Sequence, residues 1–82
     1  MKTVLEINLQ SLEYNFNKIK SLVKPTTKTM AVVKANAYGS EMIAVAKKLN
    51  KLGVDYFSVA YAKEGVELRN AGIKIPILVL IP

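Results

Sequence analysis

Apolar residues along this chain fall into two kinds of segment, one in which they recur every three or four positions and one in which they stand side by side. Leu9, Leu12, Phe16, Ile19 and Val23 are spaced by threes and fours, which gathers them on one face of a helix. Asn8 can cap that helix, and Lys24-Pro25 stops it, because the residue before a proline is pushed out of helical backbone. Ahead of it, Thr3-Val4-Leu5-Glu6-Ile7 is β-prone and predicts a short strand over residues 1–7. From Lys28 to Ala35, β-branched and apolar residues are adjacent without alternation, as in a strand covered on both faces. Gly39-Ser40 then opens a second helix, with Ile43, Ala46, Leu49 and Leu52 on one face and Gly53 at the position of a C-terminal glycine. Asp55–Ala60 reads as a second strand, Lys63–Ala71 as a third helix closed by Gly72, and Pro76–Ile81 as a third strand.

The order is therefore a short strand and a helix, then βαβαβ over the rest of residues 8–82. Strands alternating with helices at this spacing predict an α/β protein with a parallel sheet. A third strand that is wholly apolar leaves one side and one edge uncovered. A (β/α)8 barrel of the TIM type takes about 250 residues, and these 82 supply its first three strands and the intervening helices. The chain is accordingly expected to be the N-terminal part of a longer domain.

Composition narrows the chemistry. With 51% hydrophobic residues in 82, there is material for one small core. The absence of Cys and His removes disulfides, thiolate or imidazole metal ligands, thiol nucleophiles and any Ser-His mechanism, and no metal site is expected. Twelve Lys and Arg against six acidic residues give a net charge of +6, which raises nucleic acid as a partner. The cations are almost all Lys, scattered from Lys2 to Lys74 with the single Arg69, and the aromatic residues are dispersed, so no nucleic-acid partner is expected. No apolar stretch approaches the ~20 residues of a membrane span, and no apolar leader follows Met1-Lys2. A cytoplasmic protein without a membrane partner is the expectation.

Lys34 is the residue that stands out, an ammonium among Val32, Val33, Ala35 and Ala37, where desolvation is costly. One explanation is a lysine at the strand's C-terminal end, its stem on apolar surface and its head in water or paired with a carboxylate. The other is an amine made nucleophilic by burial and able to form a Schiff base with a carbonyl cofactor, at the strand end where barrel active sites are built.

The string Ala31-Val32-Val33-Lys34-Ala35-Asn36-Ala37-Tyr38-Gly39 closely resembles the pyridoxal-phosphate attachment segment of the alanine racemase family. The likeness extends along the chain: Val4–Asn15 resembles the family's N-terminal strand and helix entry, Glu64–Arg69 with Ala71-Gly72-Ile73 its third helix and turn, and Pro76–Leu80 its third strand. The chain departs from the family's pattern where Ser40-Glu41 replaces a usual His-Gly and where Ile81-Pro82 replaces a Gly after the third strand.

The resemblance implies that Lys34 holds pyridoxal 5'-phosphate as a Schiff base and is one of two bases that move the α-proton of alanine. It implies that Tyr38 gives its hydroxyl to the cofactor phosphate and that Leu80 packs near the cofactor. On the residues alone, Tyr38 is equally well a strand-end tyrosine with a wet tip, Leu80 a core residue, and Asn36 a local backbone partner. The family's second base is a tyrosine from the C-terminal β-domain of a partner subunit, with which the strand at residues 1–7 would ordinarily pair. The implied parent is thus a homodimeric racemase interconverting L- and D-alanine for cell-wall synthesis, and the 82-residue chain alone is expected to be inactive. The alternatives are a non-catalytic module that keeps only the cofactor lysine, and an interaction protein whose apolar third strand pairs with another chain.

Overall fold

The computed structural model describes residues 1–35 and 39–81 of the chain. Helix α1 (Val4–Leu22) leads into strand β1 (Met30–Val32), helix α2 (Gly39–Leu52), strand β2 (Tyr56–Tyr61), helix α3 (Ala62–Asn70) and strand β3 (Ile77–Ile81). The strands form one parallel sheet in the order β1-β2-β3, with Met30 opposite Tyr56, Val32 opposite Ser58, Ser58 opposite Leu78 and Tyr61 opposite Ile81. Sequential parallel strands separated by helices are the arrangement with which a TIM-type barrel begins.

Residues 4–7 depart from the expected N-terminal strand, since α1 already starts at Val4. The cause is local. Thr3 is extended and its Oγ1 accepts the Glu6 N–H at 3.1 Å, while the same hydroxyl donates to Glu6 Oε1, so an N-cap lies five residues ahead of Asn8. A strand needs a neighbour to satisfy its backbone, and among the described residues none runs beside this segment, whereas a helix satisfies its own. Leu12 and Phe16 pack on the core, but Ile19 is mostly exposed and no residue of α1 is fully buried. Glu13 and Lys48, 2.7 Å apart, join α1 to α2 at a partly exposed position where such a pair contributes little.

The core lies between one face of the sheet and the helices α2 and α3. Alternation along the strands turns Ala31, Val33, Phe57, Val59, Ile77 and Val79 to that face, where they meet Met42, Ala46 and Leu49 of α2 and Leu68 of α3. Phe57, Val59, Ala46 and Leu68 have no exposed surface. The buried stripe of α2 is Met42-Ala46-Leu49, with Ile43 and Leu52 at its margin, so the helix buries the face its Ile and Leu positions predict, with Met42 added to it.

Two helices end alike. Gly53 (φ 98°) and Gly72 (φ 95°) take the left-handed backbone that a side chain disfavours. In each case the next residue donates back five positions, Val54 N–H to Leu49 C=O and Ile73 N–H to Leu68 C=O, both at 3.1 Å. Val54 and Ile73 are then buried, and the chain enters the following strand.

The opposite face of the sheet carries Met30, Val32, Tyr56, Leu78 and Leu80, all between about a third and two thirds exposed. The expectation that β1 is covered on both faces therefore fails among the described residues: adjacent apolar residues serve a packed face and an open one. Leu68→Ala would empty a fully buried site and should cost about 2–5 kcal/mol in urea unfolding. Gly65 offers the opposite case, because a Cβ there would lie 3.7 Å from Ile77 and 3.9 Å from Val59 and Val79, at ordinary contact distance. Gly65→Ala should accordingly raise stability by roughly 0.5–1 kcal/mol in the same measurement, from the helix preference of alanine.

Candidate active site

Lys34 stands two residues past the end of β1, at the C-terminal end of the sheet. The β1–β2 ladder closes with Val33 N–H donating to Ser58 C=O at 2.9 Å. Alternation gives Lys34 the face of Met30 and Val32, the open one, and the side chain is exposed. The first of the two explanations read from the sequence thus describes its surroundings here, a strand-end lysine with its head in solvent. It borders an open cleft of about 490 Å3 with Val32, Val33, Glu41, Met42 and Val45.

Leu80 lies on the same face and at the same end. Counting two residues on from the Val32–Ser58 pair brings Lys34, just past β1, level with Ala60 of β2, which lies beside Leu80 of β3 in the β2–β3 register. Two strand spacings of about 4.8 Å separate the outer members of that row, so Lys34 and Leu80 flank a strip roughly 10 Å wide. Leu80 is 56% exposed, an open-face residue and not part of the core. Tyr38 and Asn36 lie outside the described residues. One row below, Ser58 is 1% exposed on the central strand, and its Oγ finds no hydrogen-bond partner.

A carboxylate supports this end of the sheet. Glu64, in the first turn of α3, is 4% exposed. Its Oε1 accepts the Tyr61 N–H at 2.8 Å, the bond a glutamate at this helical position makes to the residue preceding the helix. Its Oε2 accepts the Ala35 N–H at 3.1 Å, from the residue directly after Lys34. Those amide donors, Tyr61 foremost and then Ala35, hold the Glu64 carboxyl below the ordinary glutamate range, against burial, which acts the other way. At the other end of the strands Asp55 plays a matching part. It accepts the Thr29 N–H at 2.7 Å and the Thr29 hydroxyl at 3.2 Å, while Thr29 C=O accepts the N–H groups of Asp55 and Tyr56. The Thr29 backbone N–H likewise holds the Asp55 carboxyl below its usual range.

Glu64 is the residue sequence reading passes over. Its bond to Tyr61 follows from its place in the first turn of a helix and could have been inferred. Its bond to Ala35 joins segments that no local pattern connects.

A lysine just past the C-terminal end of the first strand of a parallel α/β sheet, on its open side, stands where barrels of this class place their functional residues. Residues 7–82 match the family described as the N-terminal domain of alanine racemase. The alanine racemase of Thermodesulfovibrio yellowstonii is 51% identical over 78 residues, which are 92% of this chain and 22% of that protein. The alanine racemase of Halothermothrix orenii is 49% identical over 95% of this chain and 21% of its own length. Among solved structures, alanine racemase of Clostridium difficile in complex with cycloserine superposes with a TM-score of 0.81 at 47% identity, over 90% of this chain and 20% of that one. The chain belongs to the alanine racemase N-terminal domain family, and it spans about a fifth of the length of these relatives.

The two carboxylates set the acid response. A folded pKa lowered below the unfolded one contributes stability that is complete above the unfolded value and is lost as pH falls through the folded one. Denaturant unfolding should therefore show stability falling as pH drops below the ordinary carboxylate range. In NMR titrations the amide protons of Ala35 and Tyr61 should move with one shared midpoint below the usual glutamate value, since both donate to Glu64.

Proposed function

We propose that this chain is the N-terminal segment of a pyridoxal-phosphate-dependent alanine racemase, an isomerase that interconverts L- and D-alanine, with Lys34 as the residue that holds the cofactor and moves a proton. The observation that carries this reading is the position of Lys34, an accessible amine at the end of β1 on the open face of the sheet, with Leu80 across the strip. The residues fit the group. The amine can condense with an aldehyde, the apolar side chains of Val32 and Leu80 can flank an aromatic ring, and the cleft beside Lys34 is of small-molecule size. Pyridoxal phosphate supplies an electron sink for the charge left when the α-proton departs.

Lys34 does two things in this scheme. Its amine would hold the cofactor, and with alanine bound the same amine would take or return the α-proton on its own side of the substrate. Tyr38 is the residue we assign to the cofactor phosphate and Leu80 the one we assign to the cofactor's edge. A base on the opposite side is required for inversion, which agrees with a homodimer whose partner subunit completes the site. The scheme needs only alanine and the cofactor as small-molecule partners. No helix among the described residues is long and apolar enough to cross a membrane.

The chain should be mixed with pyridoxal phosphate, reduced with borohydride and mapped by mass spectrometry. Lys34 should carry most of the label over the ten other lysines, that is, the twelve cations less Arg69 and Lys34 itself, and Lys34→Ala should abolish the selectivity. Uniform labelling of the lysines would overturn the assignment. In the complete enzyme, Lys34→Ala should lower racemisation by about 10²–10⁴-fold or more, the range expected for removing a general base.

A further inference from the structure

We infer that Glu64 is the positioning residue of Lys34, fixing through the Ala35 N–H the peptide that leaves the lysine and so the direction in which its side chain departs from the sheet. The inference rests on the cofactor-binding role proposed for Lys34, but its structural part stands on bonds that can be tested separately.

Three observations carry it. First, β1 stops short of Lys34. Its last ladder bond to β2 is made by the Val33 N–H, so no neighbouring strand holds the Ala35 N–H, and Glu64 does. The Ala35 nitrogen and the Lys34 carbonyl share one rigid plane, so holding that nitrogen sets the rotation about the Lys34 Cα–C bond. Second, Glu64 does more than a cap requires. Capping α3 occupies one oxygen, on the Tyr61 N–H, and could be done from the surface, whereas this side chain is 4% exposed and turns its second oxygen to the segment that follows a different strand. Third, the anchor is rigid. Glu64 is one residue before Gly65, which is buried where α3 comes close to Val59, Ile77 and Val79, and Tyr61 is the last residue of β2. The carboxylate thereby references the Lys34 peptide to the central strand and not to a loop. Bonds from N–H to a buried carboxylate are also among the stronger neutral-to-charged hydrogen bonds a protein makes.

The two roles of Glu64 separate by length. Glu64→Asp shortens the side chain by one methylene, leaves a carboxylate suited to the first turn of a helix, and withdraws it from Ala35. Glu64→Gln keeps the length but turns an amide NH2 toward one of the two N–H donors, so that one of them loses its acceptor. In the full chain, thermal melting, amide hydrogen exchange, the Lys34 13Cα and 13Cβ shifts, and pyridoxal phosphate–borohydride labelling are measured for the parent and both variants. The expected result for Glu64→Asp is a melting transition close to the parent's, Ala35 exchange faster by about tenfold or more with Val59 exchange unchanged, displaced Lys34 shifts, and a several-fold fall in the share of label on Lys34. A residue that only caps α3 would leave the Lys34 shifts and labelling at parent values in this variant.

Parent-like Ala35 exchange in Glu64→Asp and Glu64→Gln overturns the inference, as does faster exchange with the Lys34 shifts unmoved. If neither variant folds, the parent decides: an Ala35 amide exchanging at the unprotected rate while Val59 is protected means the tether is not made, and a protected one upholds it. Uniform lysine labelling in the parent would remove the cofactor role of Lys34, while Ala35 exchange and the Lys34 shifts would still decide what holds the lysine in place.

Discussion

Everything in this chain is hung on β2. It is the strand bonded on both edges, to β1 and to β3, and its Phe57 and Val59 are wholly buried against α2 and α3. Burial of such side chains contributes about 1.5–3 kcal/mol each, and in a chain this small that is a large share of the net stability. The helices have little else to hold them. Ala46 and Leu49 of α2 and Leu68 of α3 belong to the same buried cluster as Phe57 and Val59 of the central strand, and α1 touches the core only through Leu12 and Phe16.

Polar groups then fix what the apolar contacts leave free. A core specifies which faces meet, but the ends of β1 could slide or fray, because that strand is three residues long. Asp55 clasps its beginning through Thr29, and Glu64 holds the chain just beyond its end through Ala35. Both are carboxylates receiving backbone N–H groups, and both sit on segments attached to β2. The short strand that leads to Lys34 is thus held at two points by segments attached to the long strand that bears the core.

Much of the architecture was legible. Periodicities of three and four marked the helices, and Gly53 and Gly72 marked their ends because left-handed backbone is where glycine is least replaceable. The lysine was legible too, since an ammonium beside Val32 and Val33 is out of keeping with its neighbours. Other features were not. Thr3–Ile7 has the residue types of a strand, yet Thr3 and Glu6 form a helix start, and the local bond wins where no strand lies alongside. Met42 is not marked by the pattern, because its neighbour Ile43 continues the same spacing through Ala46, Leu49 and Leu52. The sequence around Lys34 suits either a shielded or a wet amine, and the open face of the sheet, a property of how many elements cover it, makes it wet here. The second bond of Glu64 depends on tertiary placement alone.

The junction between β2 and α3 has no loop at all: Tyr61 ends the strand and Ala62 begins the helix. Length there is consequently quantised. One residue gained or lost between them would turn α3 by about 100° about its axis, swinging Glu64 away from β1 and Leu68 out of the core together. Natural variants of this fold can therefore drift in composition along α3 far more freely than in spacing, and the distance in sequence from Phe57 to Glu64 behaves as a ruler that evolution can repaint but not recut.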